Sequence, residues 1–144
     1  MIKFGSLIGF GLAVFGMLIL IDKNYIYTIN PIAIIIQIFS VGLMIWSRIT
    51  FGRRSFHATA NVTEGKLVTN GPYRWLRHPI YASIIYFSWA CLISFPYLWA
   101  FIAVLLVTGG LFLRMILEEK SLKESYPEYV SYSKRAKRII PFIF

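Results

Sequence analysis

One polar segment, Gly71-Pro72-Tyr73-Arg74-Trp75-Leu76-Arg77-His78-Pro79-Ile80-Tyr81, interrupts two long apolar stretches with two arginines, a histidine, two phenols and two prolines. Such a segment has little reason to lie against hydrocarbon unless it lines a site or a membrane surface. A second cluster, Arg114, Glu118 and Glu119, follows the last apolar run. Arg114 and Glu118 are four residues apart and share a helical face, whereas Glu119 points elsewhere. Pro79 suits the first position of a helix, which sets His78 at its N-cap, where free backbone N–H groups could receive an anionic group. On spacing alone the simplest account is plain: an intrahelical ion pair, a capping histidine and interfacial aromatics at Tyr73, Trp75 and Tyr81. The two clusters together can do more, because they bring a guanidinium, a carboxylate, an imidazole and aromatic walls to the ends of two helices.

The elements that must position them are membrane helices. Hydrophobic residues make up 58% of the chain and aromatic residues 17%, with a mean hydropathy of +0.66, far above a soluble domain. Apolar runs at residues 4–21, 31–47, 80–95 and 97–113 each approach the roughly 17 to 25 residues that a helix needs to cross hydrocarbon. The expected fold is therefore an all-α polytopic membrane protein of about four transmembrane helices. It forms a single membrane domain over residues 1–144, with a site-forming loop at 48–79 and a helical tail at 114–144. The first run is too long for the apolar region of a signal peptide, about 7 to 15 residues, and reads as a retained helix. Gly5 and Gly9 set small residues on one face of it for close helix packing, and Thr108-Gly109-Gly110 reads chiefly as packing too. Pro96 makes a tight turn between the third and fourth helices, and nothing breaks the fourth before Pro127.

Charge orients the chain. Lys23 lies alone between the first two runs, while Arg48, Arg53, Arg54, Lys66, Arg74 and Arg77 follow the second, and Arg114 and the six basic residues after it end or follow the fourth. The positive-inside rule then puts both termini and the long loop in the cytoplasm. The net charge of +9 gathers on one face, where it attracts anionic lipid headgroups. No nucleic-acid partner is expected, since the basic residues are interleaved with spans and form no recognition module. Cys91 lies inside an apolar run and reads as a small buried hydrophobe. No metal is expected either, because His57 and His78 lack a convergent carboxylate pattern.

The segment Leu67-Val68-Thr69-x-Gly71-x-Tyr73 leading into Arg77-His78-Pro79-x-Tyr81 is matched by a second, Arg114-x-x-x-Glu118-Glu119-x-x-Leu122, then Tyr126-x-x-Tyr129-x-x-Tyr132 and a basic run ending in Ile140-Pro141. In order and spacing these resemble the isoprenylcysteine carboxyl methyltransferase family of integral membrane enzymes. The resemblance implies S-adenosylmethionine-dependent methyl transfer in a helical membrane fold without a Rossmann domain. It assigns cofactor contacts to Gly65, Lys66, Leu67, Val68, Tyr73, His78, Pro79, Ile80, Tyr81 and Glu118, and contact with the methyl-accepting end of the substrate to Arg114. Two places depart from the family pattern. Ser83 stands where a glycine is common, and Tyr126-Pro127 replaces a Phe-Gly pair, which should alter the tail's entry angle.

The borrowed roles make chemical sense, since the cofactor carries a sulfonium, an ammonium, a carboxylate and an adenine ring. Glu118 can pair with the ammonium, and Leu67, Val68, Tyr73 and Tyr81 can wall the rest. The acceptor expected is lipophilic, reached from the membrane, and a carboxylate that Arg114 orients. Related short membrane proteins methylate phospholipid amines, so an amine or a thiol acceptor is the alternative, and a nicotinamide-dependent reductase a more remote one. The charge pattern makes a direct prediction about topology. Cysteines placed at Asn70 and Ser133 should react with a membrane-impermeant thiol reagent only after the cytoplasmic face is opened, and one at Asn24 from outside. Labelling of Asn70 and Ser133 from opposite sides would break the shared site.

Overall fold

A computed structural model of the chain describes residues 2–52 and 67–144. The architecture is all-helical: α1 (Ile2–Asp22), α2 (Pro31–Phe51), a 3-10 turn (Gly71–Arg74), α3 (Pro79–Ser94), α4 (Leu98–Ser125) and a short α5 (Tyr129–Arg135). All four apolar runs form helices. Three of them, α1, α2 and α4, are long and apolar enough to cross a membrane, while α3 is a shorter apolar helix. The reason is written in its flanks. Pro79 occupies the first turn of α3 and Pro96 follows its C-cap residue Phe95, so its sixteen residues span about 24 Å against about 30 Å of hydrocarbon.

Local chemistry starts and stops the other helices as expected. Asn30 caps α2, its side-chain carbonyl accepting from Ile32 N at 3.0 Å and Ala33 N at 3.3 Å, with Pro31 at the first helical position. The 28 residues of α4 run unbroken to the residue before Tyr126-Pro127. At about 42 Å the helix outlasts the hydrocarbon, so its last turns stand beyond it beside the start of α3.

Around the bundle, α1 lies along α4, α4 touches α3, and α3 lies along α2. The α1–α4 contact is the closest because glycines allow it. A Cβ on Gly9 would come 2.5 Å from the Gly110 carbonyl oxygen, and one on Gly16 2.6 Å from that of Ala103. Here the backbones themselves are in contact, the arrangement that small residues permit between membrane helices. A core of Ala13, Ile85, Val107, Leu111 and Met115 fills the space between α1, α3 and α4, and Ile139 of the tail packs against it. Although consecutive in sequence, α1 and α2 share no comparable packed face, and a crevice is left between them over α3.

Glycine packing makes this interface testable. Gly110→Val should lower stability by about 1–3 kcal/mol through overpacking against Gly9 and Ala13. Gly109→Ala, whose Cβ meets nothing within 4 Å, should leave the melting temperature in detergent unchanged. Equal melting temperatures for both variants would contradict the close α1–α4 approach.

Candidate functional site

The site is assembled where the chain's end returns to the segment before α3. Backbone pairing does this first: Leu76 and Lys137 form an isolated parallel bridge, in which Lys137 N donates to Trp75 O at 2.9 Å and Arg77 N to Lys137 O at 2.6 Å. His78 N then donates to Arg138 O at 3.1 Å. Side chains reinforce the pairing. The Tyr132 hydroxyl donates to Tyr73 O at 2.7 Å, with Leu76 O at 3.3 Å, and the Tyr86 hydroxyl donates to Ile139 O. Tyr126, where the family pattern has Phe, donates its backbone N–H to Leu122 O and ends α4, so the chain turns at Pro127 into α5.

His78 occupies the N-cap position of α3, as expected, but its side chain makes no capping bond. The ring instead stacks on Tyr81, with centroids 5.5 Å apart and planes 6° from parallel. Its edges meet both glutamates of α4. Nδ1 lies 3.7 Å from Glu118 Oε2 and Nε2 3.2 Å from Glu119 Oε1. Glu119 does point away from Arg114, yet it is the hub of the cluster rather than a solvated residue. Its carboxylate also takes Arg77 Nη1 at 3.0 Å and Arg138 Nε and Nη2, each at 3.2 Å. The sequence alone assigned Glu119 and Arg138 no role. Arg138 lies in a basic run that looks like a headgroup-facing tail, and only the returning backbone turns it inward.

Arg114 is 4% exposed. Its Nε donates to the Tyr81 hydroxyl at 2.6 Å, and its guanidinium lies between the rings of Phe10 and Tyr81, 5.3 and 5.7 Å from their centroids. Contacts with ring faces suit a guanidinium in a weakly hydrated place. Ser83, at the position where the family pattern favours glycine, is buried and donates its hydroxyl to Ile80 O at 2.7 Å, so the small polar group is satisfied within its own helix.

A cavity of about 420 Å³ opens among these groups, within the roughly 300 to 1,000 Å³ usual for small-molecule sites. Leu67, Val68, Tyr73, His78, Pro79, Ile80, Tyr81, Arg114 and Glu118, all singled out in the sequence, line it together. Gly65 and Lys66 lie outside the described residues. Further walls come from Arg48 and Phe51 at the end of α2, from Tyr126, Tyr129 and Tyr132, and from Phe10, Val14, Leu18 and Ile21 on α1. The α1 positions recur at helical spacing and form one face, but on a helix apolar all round nothing marks that face in advance.

Burial pushes the phenols of Tyr73 and Tyr132 well above their ordinary range. Burial, then the charge of Glu119, raises Tyr129 to about 12 against the opposing pull of Arg77. These hydroxyls therefore stay neutral and able to donate at physiological pH. Among the described residues, two buried atoms facing this region, Arg77 Nε and the Tyr129 hydroxyl oxygen, make no well-formed hydrogen bond, although the Arg77 guanidinium lies near the Tyr129 phenol, and both residues line the cavity.

Fold and site together define a helical membrane protein with a ligand cavity joining a buried ionic cluster to an apolar crevice. Residues 13–124 match the isoprenylcysteine carboxyl methyltransferase (ICMT) family. The chain belongs to that family and is a membrane methyltransferase. No curated protein and no solved structure matches the chain.

The tail's hold on the cavity can be measured. Tyr132→Phe leaves the Tyr73 and Leu76 carbonyls without their buried donor and should lower stability by about 1–3 kcal/mol. It should also speed proteolysis within residues 126–144. Ser133→Ala, which removes only a local bond to Val130 O, should do neither. A tail equally resistant in Tyr132→Phe would show that the phenol does not fasten it.

Proposed function

We propose that the protein transfers a methyl group from S-adenosylmethionine to the carboxylate of a lipid-like or isoprenoid-linked acceptor. The observation that carries this reading is one cavity with two chemistries. One end holds Glu118, His78, buried polar atoms without a well-formed hydrogen bond among the described residues and five tyrosines; the other is the apolar face of α1. Arg114 lines the same cavity.

The residues fit the cofactor in kind. Glu118 provides an anionic partner for an ammonium. Arg77 Nε can donate to a carboxylate, and the Tyr129 hydroxyl can donate or accept. Leu67, Val68, Tyr73 and Tyr81 supply apolar and aromatic walls for the adenine and its neighbours. Bound there, S-adenosylmethionine would supply an electrophilic methyl group on a sulfonium. Arg114, held by Tyr81, would orient the acceptor carboxylate through its planar fork. A carboxylate with a pKa of about 4 is already ionised at neutral pH, so no general base is required. The protein's contribution is then positioning with water excluded, since displacement at a methyl carbon demands alignment of acceptor, carbon and leaving group.

The hydrocarbon part of the acceptor would lie along Phe10, Val14, Leu18 and Ile21 and enter from the membrane through the crevice between α1 and α2. Both termini and the site would face the cytoplasm, as the charge pattern predicts. Arg74, Lys120, Lys123, Lys134 and Arg135 are exposed, and would rest against anionic headgroups on that side.

Two measurements test the proposal. Protein in detergent should bind S-adenosylmethionine and its demethylated product by titration calorimetry, and Glu118→Gln should weaken this about tenfold or more, because the ligand's ammonium is left unpaired. Tight NADPH binding with none of the methyl donor would sink the reading. In membranes given methyl-labelled cofactor, mild base should release volatile labelled methanol from the lipid extract. Arg114→Ala should lose that transfer while still binding the cofactor. A base-stable product would move the acceptor to an amine or a thiol.

A further inference from the structure

We propose that Glu119 is a positioning residue for the methyl donor that acts through His78: it holds the imidazole proton on Nε2, so that Nδ1 joins Glu118 as a two-acceptor seat for an ammonium group. The inference rests on the reading of the cavity as the S-adenosylmethionine site.

The Glu119 carboxylate, between the guanidinium groups of Arg77 and Arg138, only accepts. His78 Nε2, 3.2 Å away, must therefore be the donor. In the neutral imidazole that this inference assigns to His78, the single N–H is then on Nε2 and Nδ1 carries a lone pair. This atom lies 3.7 Å from Glu118 Oε2, too far for a hydrogen bond between the two. Two acceptors thus face one another at a separation that repels unless a donor joins them.

The ring is not free to turn away. It stacks on Tyr81, and the backbone N–H of its residue is tied to Arg138 O. The charged and titratable groups that face it are Glu118 and Glu119 from α4, Arg77 beside it, Tyr81 one turn on, and Arg138 of the tail through Glu119. Glu118 and His78 both line the cavity, with side chains 25% and 5% exposed. A primary ammonium carries three donors, no acceptor and a positive charge. It can satisfy both atoms at once, whereas a carboxylate would be repelled and a neutral amino group would leave the Glu118 charge uncompensated. In this arrangement Glu119 touches no ligand, yet decides whether His78 meets one as a donor or as an acceptor.

The test reads the tautomer directly. The chain has two histidines, so protein labelled with 15N-histidine and carrying His57→Gln reports His78 alone. In detergent with saturating S-adenosylhomocysteine, which has the same ammonium and no transferable methyl, Nε2 should be protonated and Nδ1 unprotonated, its resonance moving on ligand addition. Glu119→Gln, whose amide can donate back to Nε2, should populate the Nδ1–H form and weaken S-adenosylhomocysteine about tenfold. Tyr86→Phe, which removes a bond to the tail at Ile139 O from a residue outside the cavity lining, should lower the melting temperature but keep both the tautomer and the affinity. A wild-type complex with Nδ1 protonated, alone or together with Nε2, overturns the inference without recourse to any variant. So does an unchanged tautomer or affinity in Glu119→Gln, or an equal change in Tyr86→Phe, which would place the effect in the tail. If the wild-type protein binds neither S-adenosylmethionine nor S-adenosylhomocysteine, the cofactor reading fails, and the inference falls with it.

Discussion

A carboxylate that is 3% exposed, Glu119 on α4, is shared by Arg77 and His78 from the segment before α3 and by Arg138 from the tail. Removing a carboxylate from water costs several kcal/mol unless other groups replace its hydration, and three donors from two distant stretches of chain do so here. The dependence runs both ways. Arg77, with a side chain 13% exposed, would itself be a poorly solvated cation without Glu119, and Arg138 has its fork turned inward rather than toward headgroups. Loss of one member of such a cluster leaves uncompensated charge behind, a penalty of about 3–5 kcal/mol in comparable cases. The cluster therefore ties the tail, the loop and α4 into one wall.

That wall explains how a small bundle makes an enclosed site. Four helices of this size leave a crevice, and the cover comes from a tail that crosses back over the end of the bundle. The backbone bonds of residues 75–78 with 137–138, the Tyr132 phenol and Ile139 in the core all hold it there. Once the cover is down, the polar ends of Glu118, His78 and Tyr81 face a partly dehydrated space. Electrostatic contacts in such a space are stronger than in water, and attack by water on a reactive ligand is suppressed.

The helices were legible because membrane spans announce themselves by length and apolarity, and because prolines and Asn30 mark their ends. The nine described site residues were legible as a group because their order resembles a family pattern; spacing alone made Arg114 and Glu118 an ordinary ion pair. What stayed hidden has a common physical cause. Glu119 is adjacent to Glu118 and so on a different helical face, and nothing local reveals that this face meets the tail. Arg138 sits among basic residues of the kind that normally face headgroups, and the parallel pairing that turns it inward joins residues about sixty positions apart. Long-range pairing of short irregular segments leaves no periodic trace.

The hidden face of α1 carries the same lesson into function. Gly9 and Gly16 point into α4, and this commits one side of α1 to packing. Phe10, Val14, Leu18 and Ile21 are thereby turned toward the crevice and line the cavity. Close packing on one side of the helix thus builds an apolar wall on the other. Because α1 packs on α4 and not on α2, that wall is exposed along the helix among the described residues, while its Phe10 end covers the Arg114 guanidinium. A ligand with an anionic head and a hydrocarbon body would find the two surfaces in the right order: the apolar wall along its length and the cation at its end.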